Sequence, residues 1–399
     1  MEAKCDVAVV GGGPAGLLSA KTASLKGLDV IVLEEHSQVG IPSHCAGLVS
    51  VKGLSAIGLE PLSEFVQNEV KGARFSSPSG LTFEIEARNS IAFVLDRVRF
   101  DQHLSRQAIN DGVELLLGMR VRKLLHSNNR ISGVKDDSGS LYASSVVVDA
   151  EGVRSQFVGE AGLAAVDKAS ICPAMQFELA NVNIDKDFVQ VFVGKKYAPG
   201  FFAWAIPTGS DSVRVGLACN HGNVRFLLER FVEENFAGAN LCAVTSGAVI
   251  TGGPIKETCS NGFMVVGDAA GQTKPTTGGG VIMGGMCAII SGEAAAEAIR
   301  TRDTSSRALN KLYERKWRGA LGREFSTMLV ARRFFNKLSD NTLDRIFKII
   351  IKERLAEEIS SFGDMDFQSG VLRRLAKKGL IMKILPFLAG DFLKDAFTH

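Results

Sequence analysis

The sequence predicts an α/β fold in which a parallel-sheet domain is interrupted by an antiparallel sheet and followed by a helical region. Three observations predict it. Residues 6–10 are apolar and β-branched, 11–16 are glycine-rich, 17–25 are apolar with helical spacing, and 29–33 are β-branched again. That is strand, turn, helix and strand within about 30 residues, the length of one βαβ unit. Residues 172–219 alternate apolar and polar, as in 189–193 and 212–216, the chemistry of an antiparallel sheet with one face wet. Residues 264–268 form another buried strand, so parallel pieces stand at both ends of the first 300 residues with antiparallel sheet between them.

The remaining elements follow in order. Residues 83–94 are strand-like, and 100–110 are helical, with Leu104 and Ala108 at i, i+4 spacing. Strands are expected at 113–117, 121–125, 131–134 and 141–148. The uncharged stretch 275–292 opens with Pro275-Thr-Thr-Gly-Gly-Gly and is read as a glycine-rich loop entering a buried helix, not as a membrane span. From Ser305 onward the chain is helical and rich in Arg and Lys.

Composition narrows the class. With 399 residues, 46% of them hydrophobic and 22% charged, the chain can bury a sizeable core without staples. Lys plus Arg number 46 against 43 acids, a balance too even to indicate nucleic-acid binding. The seven cysteines are scattered and form no C-x-x-C pair, and no secretory pattern opens the sequence. A reduced, cytoplasmic protein is expected, without a disulfide framework or a metal cluster.

Gly11, Gly13 and Gly16 form G-x-G-x-x-G, with Pro14 and Ala15 inside it. The first glycine allows the tight turn, the second lets backbone approach a pyrophosphate, and the third lets helix pack on strand. The helix N-terminus then offers free N–H groups to phosphate. Glu34 ends the second strand, 18 residues after Gly16, where a carboxylate can accept from a ribose diol; Glu35 is the alternative acid. The motif does not by itself choose between FAD and NAD. A second signal is Gly262-Phe-Met-Val-Val-Gly-Asp-Ala-Ala-Gly271, followed by the glycine run that contains Gly279 and Gly280 and leads to Val281. Asp268 can bind a polyol hydroxyl, and the N–H groups at Gly280 and Val281 stand at a helix N-terminus, which favours negative charge such as that of a reduced flavin. Residues 146–155 and 95–101 supply two further signals, the second carrying Arg97, which by itself could be a surface ion-pair partner.

With these signals in order, the chain resembles the flavoprotein monooxygenase superfamily of the p-hydroxybenzoate hydroxylase fold group. Glu151 stands where that group usually has Asp. Tyr197-Ala-Pro-Gly-Phe-Phe-Ala-Trp-Ala-Ile-Pro207 is similar to the Tyr-x-Trp-x-Phe-Pro signature of the geranylgeranyl reductases, with Phe202 and Ile206 replacing two members and Trp204 and Pro207 kept. His44-Cys-Ala-Gly-Leu-Val49 looks like that family's cysteine loop, and the stretch around Tyr313 and Trp317 has the same look.

The resemblance implies a Rossmann-like FAD-binding domain (1–75, 90–165 and 255–300), an antiparallel β-sheet substrate domain (76–89 and 166–254) and a C-terminal helical region (301–399). It implies FAD as cofactor, held by Gly11, Gly13, Pro14, Ala15, Gly16, Glu34, Cys45, Ala46, Arg97, Val121, Asp268, Gly279, Gly280 and Val281. Tyr197, Phe202, Trp204 and Pro207 are implied to line the substrate pocket, although such aromatics also build ordinary sheet core. Cys45 is the implied proton donor, with a small buried cysteine as the bland alternative, and His44 is read as solvated. The activity implied is saturation of isoprenoid double bonds of an archaeal digeranylgeranylglycerophospholipid. The alternative is an FAD-dependent monooxygenase or halogenase of an aromatic substrate, since Trp204-Ala-Ile-Pro207 matches part of the tryptophan halogenase signature. The resemblance implies NAD(P)H or reduced ferredoxin as electron donor; no second dinucleotide motif stands in a βαβ unit, so a separate nicotinamide domain is not expected. The basic pairs Arg332-Arg333, Arg373-Arg374 and Lys377-Lys378 could meet an acidic donor or anionic lipid, or form a solvated helix face. Residues 371–397 mix basic and apolar side chains, as a helix in peripheral contact with the cytoplasmic membrane face would, or one packed on the cofactor domain.

Overall fold

A computed structural model describes residues 2–377 and 379. The first βαβ unit forms as its pattern requires: strand Glu2–Val10, helix Pro14–Ser24 and strand Val30–Glu34. Strand Val30–Glu34 is buried along its whole length. Val30 and Val32 enter the core on one face of the sheet and Ile31 and Leu33 the core on the other, the mark of a sheet covered on both sides. Five parallel strands run in the order Phe263–Val265, Leu141–Asp149, Glu2–Val10, Val30–Glu34, Glu114–Leu117. Strands Val121–Ser127 and Arg130–Asp136 append antiparallel beside Leu141–Asp149.

Helix Val281–Arg300 is long and apolar enough to cross a membrane, but most of it is buried. It lies against helix Pro14–Ser24, where the Ser19 and Ser291 hydroxyls pair at 2.7 Å. Small residues on its buried face, among them Gly284, Ala288 and Ala295, let the helix approach closely.

A seven-stranded sheet runs in the order Asn240–Ile250, Ile171–Ala180, Ser212–Ala218, Phe202–Pro207, Phe188–Val193, Gly72–Ser76, Thr82–Glu86. All its pairs are antiparallel except Phe188–Val193 with Gly72–Ser76. The expectation of one wet face needs correction at the centre, because six of the seven residues of Ser212–Ala218 are buried. Helix Val224–Asn235, capped by the Asn223 side chain, covers one face through Leu228 and Phe231. The other face is roofed by the C-terminal helices.

Strands Leu48–Ser50, Ala92–Leu95 and Val66–Val70 form a third, small sheet between the two larger ones. Helices Arg315–Phe335, Asp340–Lys352, Leu355–Phe362 and Ser369–Lys377 complete the described chain. Their root is part of the main core, since Tyr313 and Trp317 are fully buried there. Of the segment 371–397, only the part up to residue 377 and Gly379 is described; the rest lies outside the described residues.

Candidate functional site

The parallel sheet, the small sheet, the inner face of the seven-stranded sheet and the C-terminal helices enclose one continuous cavity of about 1920 Å³. That is roughly twice the upper end of ordinary ligand sites, ~1,000 Å³. One end is built from cofactor-type loops and the other is greasy.

At the first end two helices present uncapped N-termini. Gly13 precedes helix Pro14–Ser24 and Gly280 precedes helix Val281–Arg300, and neither is capped by a side chain. First-turn N–H groups have no partner within the helix, so both termini suit an anionic ligand. Gly13, Pro14, Ala15, Gly279, Gly280 and Val281 all line the cavity. Gly11 and Gly16 stand behind this wall. A Cβ on Gly16 would lie 2.0 Å from the Gly11 carbonyl oxygen, so backbone packs on backbone there.

Glu34 is buried behind the loop and organises it. One carboxylate oxygen accepts from Gly12 N–H at 2.6 Å and the other from His36 N–H at 3.0 Å. Glu35 is instead salt-bridged to Arg120 at 3.2 Å and Arg154 at 3.0 Å. Glu151 accepts from the Gln156 and Phe157 N–H groups at 2.8 and 3.0 Å, capping the short helix Gln156–Glu160. Asp149 beneath it is fully buried, and burial together with the neighbouring Glu151 charge pushes its carboxyl well above the usual range.

Arg97 lines the cavity and is held bidentately by Asp101, with both contacts at 3.0 Å. It is therefore an internal group, not a surface ion pair. Burial opposes its charge, but Asp101 and the nearby Cys45 raise its pKa above the ordinary value. Cys45 and Ala46 line the same wall, and Cys45 Sγ also accepts from Gly47 N–H at 3.4 Å. His44 is exposed, as a solvated residue would be. Asp268 faces the cavity; burial pushes its carboxyl up, and Arg97 pulls in the opposite direction.

At the second end, strand alternation puts Phe202, Trp204 and Ile206 on the cavity side. Phe201 and Phe202 stack at 4.3 Å, and Phe202 meets Trp204 edge-on at 6.1 Å. Phe334, Leu338, Ile346, Phe347 and Ile350 close the chamber from the helical region.

Three expected positions lie elsewhere. Val121 is buried in the core beyond the parallel sheet, with Leu124 and Ile131, and does not line the cavity. Tyr197 packs on Phe231 behind the sheet and donates its hydroxyl to Glu234; it sits one loop before the strand and so escapes the strand's alternation. Pro207 ends the strand, and its carbonyl accepts from Asn68 at 3.0 Å. Of the basic pairs, Arg332 needs correction, while Arg333, Arg373, Arg374 and Lys377 are exposed and Lys378 lies outside the described residues. Arg332 is buried, its guanidinium 4.6 Å from the Phe201 ring centroid and donating to the Gly200 carbonyl. Arg373 donates to Ser369, and Arg374 covers the Phe362 ring at 3.9 Å.

Several contributors had no local signal. Arg214, buried mid-sheet, donates to Glu178 at 2.5 Å and to the Ala46 carbonyl at 2.7 Å, tying the cysteine loop to the sheet. Tyr313 donates to the Val265 carbonyl at 2.6 Å and accepts from Gln272, whose own oxygen takes Gly267 N–H at 2.9 Å; this chain of contacts supports the Asp268 turn. All seven cysteines are free, and no cluster of His, Cys, Asp or Glu suited to a metal occurs among the described residues.

Residues 6–171 match the family FAD dependent oxidoreductase, and residues 170–249 match the geranylgeranyl reductase catalytic domain. The chain is thus an FAD-dependent oxidoreductase. It is 34% identical to the digeranylgeranylglycerophospholipid reductase of Methanothrix thermoacetophila, covering 89% of this chain and 93% of that one. It is 36% identical to digeranylgeranylglycerophospholipid reductase 1 of Methanococcoides burtonii, covering 100% and 98%. The crystal structure of a geranylgeranyl bacteriochlorophyll reductase-like protein from Thermoplasma acidophilum superposes with a TM-score of 0.88 at 26% identity, covering 97% and 100%. The chain belongs to the geranylgeranyl reductase family. A flavin-dependent brominase, 19% identical with a TM-score of 0.70 over 95% of this chain and all of that one, shares the fold.

Proposed function

We propose that the chain saturates the isoprenoid double bonds of a digeranylgeranylglycerophospholipid. The observation that carries this is the continuity of the cavity, from two uncapped helix termini to an apolar chamber lined by Phe202, Trp204 and Phe347. FAD fits the first end. The Gly13–Ala15 turn would take the pyrophosphate, Glu34 the ribose, Asp268 a polyol hydroxyl, and the Gly280–Val281 terminus the flavin's pyrimidine side. When bound and reduced, FAD supplies the hydride, because the cofactor carries the hard chemistry.

The chain's own residues do the rest. An isoprenoid double bond has no conjugated carbonyl, so protonation of its less substituted carbon leaves positive character on the more substituted one, which is the carbon that accepts the hydride. The ring faces of Phe202 and Trp204 attract a cation and exclude water. Cys45 is the proton donor: its sulfur accepts from Gly47 N–H, so its S–H is not consumed in that contact. The electron donor meets the protein from outside, as NAD(P)H or reduced ferredoxin.

The test is anaerobic incubation of the yellow protein with the prenyl phospholipid and dithionite, followed by mass spectrometry. A gain of two hydrogens per double bond is expected. A product that requires oxygen, or a lipid of unchanged mass, overturns the reading. Repeating the assay with NADPH and with reduced ferredoxin identifies the donor. Flotation with liposomes, with and without residues 371–399, tests a peripheral membrane contact.

A further inference from the structure

The apolar chamber ends at a buried pair of opposite charges. Lys274 stands just before the glycine loop that leads into helix Val281–Arg300, and its ammonium donates to Asp366 Oδ1 at 2.7 Å and to the Met365 carbonyl at 3.2 Å. Asp366 arrives from the C-terminal region, 92 residues later. Its other oxygen accepts the Ser50 hydroxyl, and Ser50 in turn caps the helix Val51–Ala56 that follows the cysteine loop. Lys274 is 7% exposed and Asp366 1%, and both line the cavity. The ammonium lies against the glycine run, since a Cβ on Gly279 would stand 2.7 Å from Lys274 Cε and 3.2 Å from Nζ. Reciprocal backbone bonds close the loop above it, with Lys274 N–H donating to Gly279 at 3.1 Å and Gly278 N–H to Lys274 at 2.7 Å.

Stability does not account for such a pair. Replacing a buried ion pair by apolar residues is often neutral or stabilising by about 1–4 kcal/mol. Other charged groups of this wall are Arg97, paired with Asp101 in bidentate contact, Glu151, spent on a helix cap, and Asp268 beside Gly280, whose carboxyl burial pushes up. An ammonium has three donors, and Asp366 and Met365 use two of them, leaving one for the cavity.

We propose that Lys274 and Asp366 set the charge beside the flavin-binding helix terminus. Lys274 is the cation that balances the negative charge of the reduced flavin, and Asp366 holds it in place and attenuates it. This rests on the FAD reading of the cavity. The two are positioning residues. A cation near the pyrimidine side stabilises the reduced, anionic state, and a carboxylate beside it does the reverse. The pair thus restrains the potential, keeping the reduced cofactor strong enough for an unactivated double bond. Thr276 Oγ1 donating to Gln368 at 2.7 Å, beside the pair, fastens the same C-terminal stretch to the same loop.

The test is the midpoint potential of the bound flavin in the full-length protein, by anaerobic dye-coupled titration. Asp366→Asn keeps an acceptor for Lys274 and deletes the negative charge. It is expected to raise the reduced-to-oxidised ratio at a fixed potential at least tenfold, about 30 mV for a two-electron couple. Adding Lys274→Met to that variant is expected to lower the ratio again by at least tenfold. A potential in Asp366→Asn within threefold of the parent overturns the proposal, as does a double variant that matches Asp366→Asn. Flavin content and thermal melting of both variants show that each is folded. Should Asp366→Asn not hold flavin, Lys274→Arg is expected to keep the parent potential and Lys274→Gln to lower the ratio at least tenfold; equal potentials in these two overturn the proposal. A parent protein that is colourless and takes up no flavin instead defeats the FAD reading.

Discussion

A methyl group at position 16 would stand 2.0 Å from the Gly11 carbonyl oxygen. Backbone cannot yield as a side chain can, so Gly16→Ala is expected to cost about 3 kcal/mol and to empty the flavin site. Thermal melting and visible flavin absorbance check both. Trp204 is the converse case, a side chain whose value lies in its bulk. Trp204→Ala is expected to leave flavin content unchanged and to weaken lipid binding by about 2 kcal/mol, roughly thirtyfold. Fluorescence-monitored lipid titration measures it, and unchanged affinity would remove Trp204 from the chamber wall. Glycines and signature aromatics were legible because each acts through its own chain neighbours. Tyr197 was misplaced because alternation governs only residues inside a strand, and it stands in the loop before one.

At the scale of elements, two carboxylates of helix Asp340–Lys352 tie it to the seven-stranded sheet, Asp340 accepting from Lys195 N–H at 2.9 Å and Asp344 making the larger set of contacts. Asp344 accepts from the Ser77 hydroxyl at 2.6 Å, the Ser79 hydroxyl at 2.8 Å and Ser79 N–H at 3.0 Å. Burial raises its pKa, but these three donors outweigh it and the net shift is downward. The unfolded state therefore binds a proton more tightly, and the bond network contributes fully above about pH 4, the ordinary Asp value, fading as pH falls through the lower folded value. Asp344→Ala is expected to cost about 1 kcal/mol at pH 7, with the difference from the parent shrinking below pH 4. Denaturant melts at pH 7 and pH 3 test this, and a constant difference would contradict it. Helix Val224–Asn235 went unread although Asn223 marked its start and Leu228, Phe231 and Val232 its apolar face. The surrounding strand pattern carried the expectation of sheet through this stretch.

At the scale of the whole molecule, the helical region is a wall of the site and not an appendage. Tyr313 and Trp317 are fully buried in the main core, and Tyr313 supports the Asp268 turn through Val265 and Gln272. A chain ending at residue 300 is therefore expected to lose both near-UV circular dichroism and flavin binding. Retention of a yellow, cooperatively melting protein would show that the region is dispensable. The seven-stranded sheet likewise recruits Gly72–Ser76 in addition to the stretch assigned to it from sequence, since the parallel pair with Phe188–Val193 joins residues more than a hundred positions apart.

By itself the sequence determined the βαβ unit, its glycine turn, the paired Gly-Asp and Gly-Gly-Gly segments and the aromatic strand, because hydrophobic period and turn chemistry are local properties. Only the tertiary structure decided that Arg97 meets Cys45, that Arg332 is buried under Phe201, that Arg214 ties the cysteine loop to the sheet, and that Lys274 pairs with Asp366. These contacts join residues with no shared period, brought together by apolar burial across three sheets and a helical roof. A charge carries no mark of its partner until the chain has folded around both.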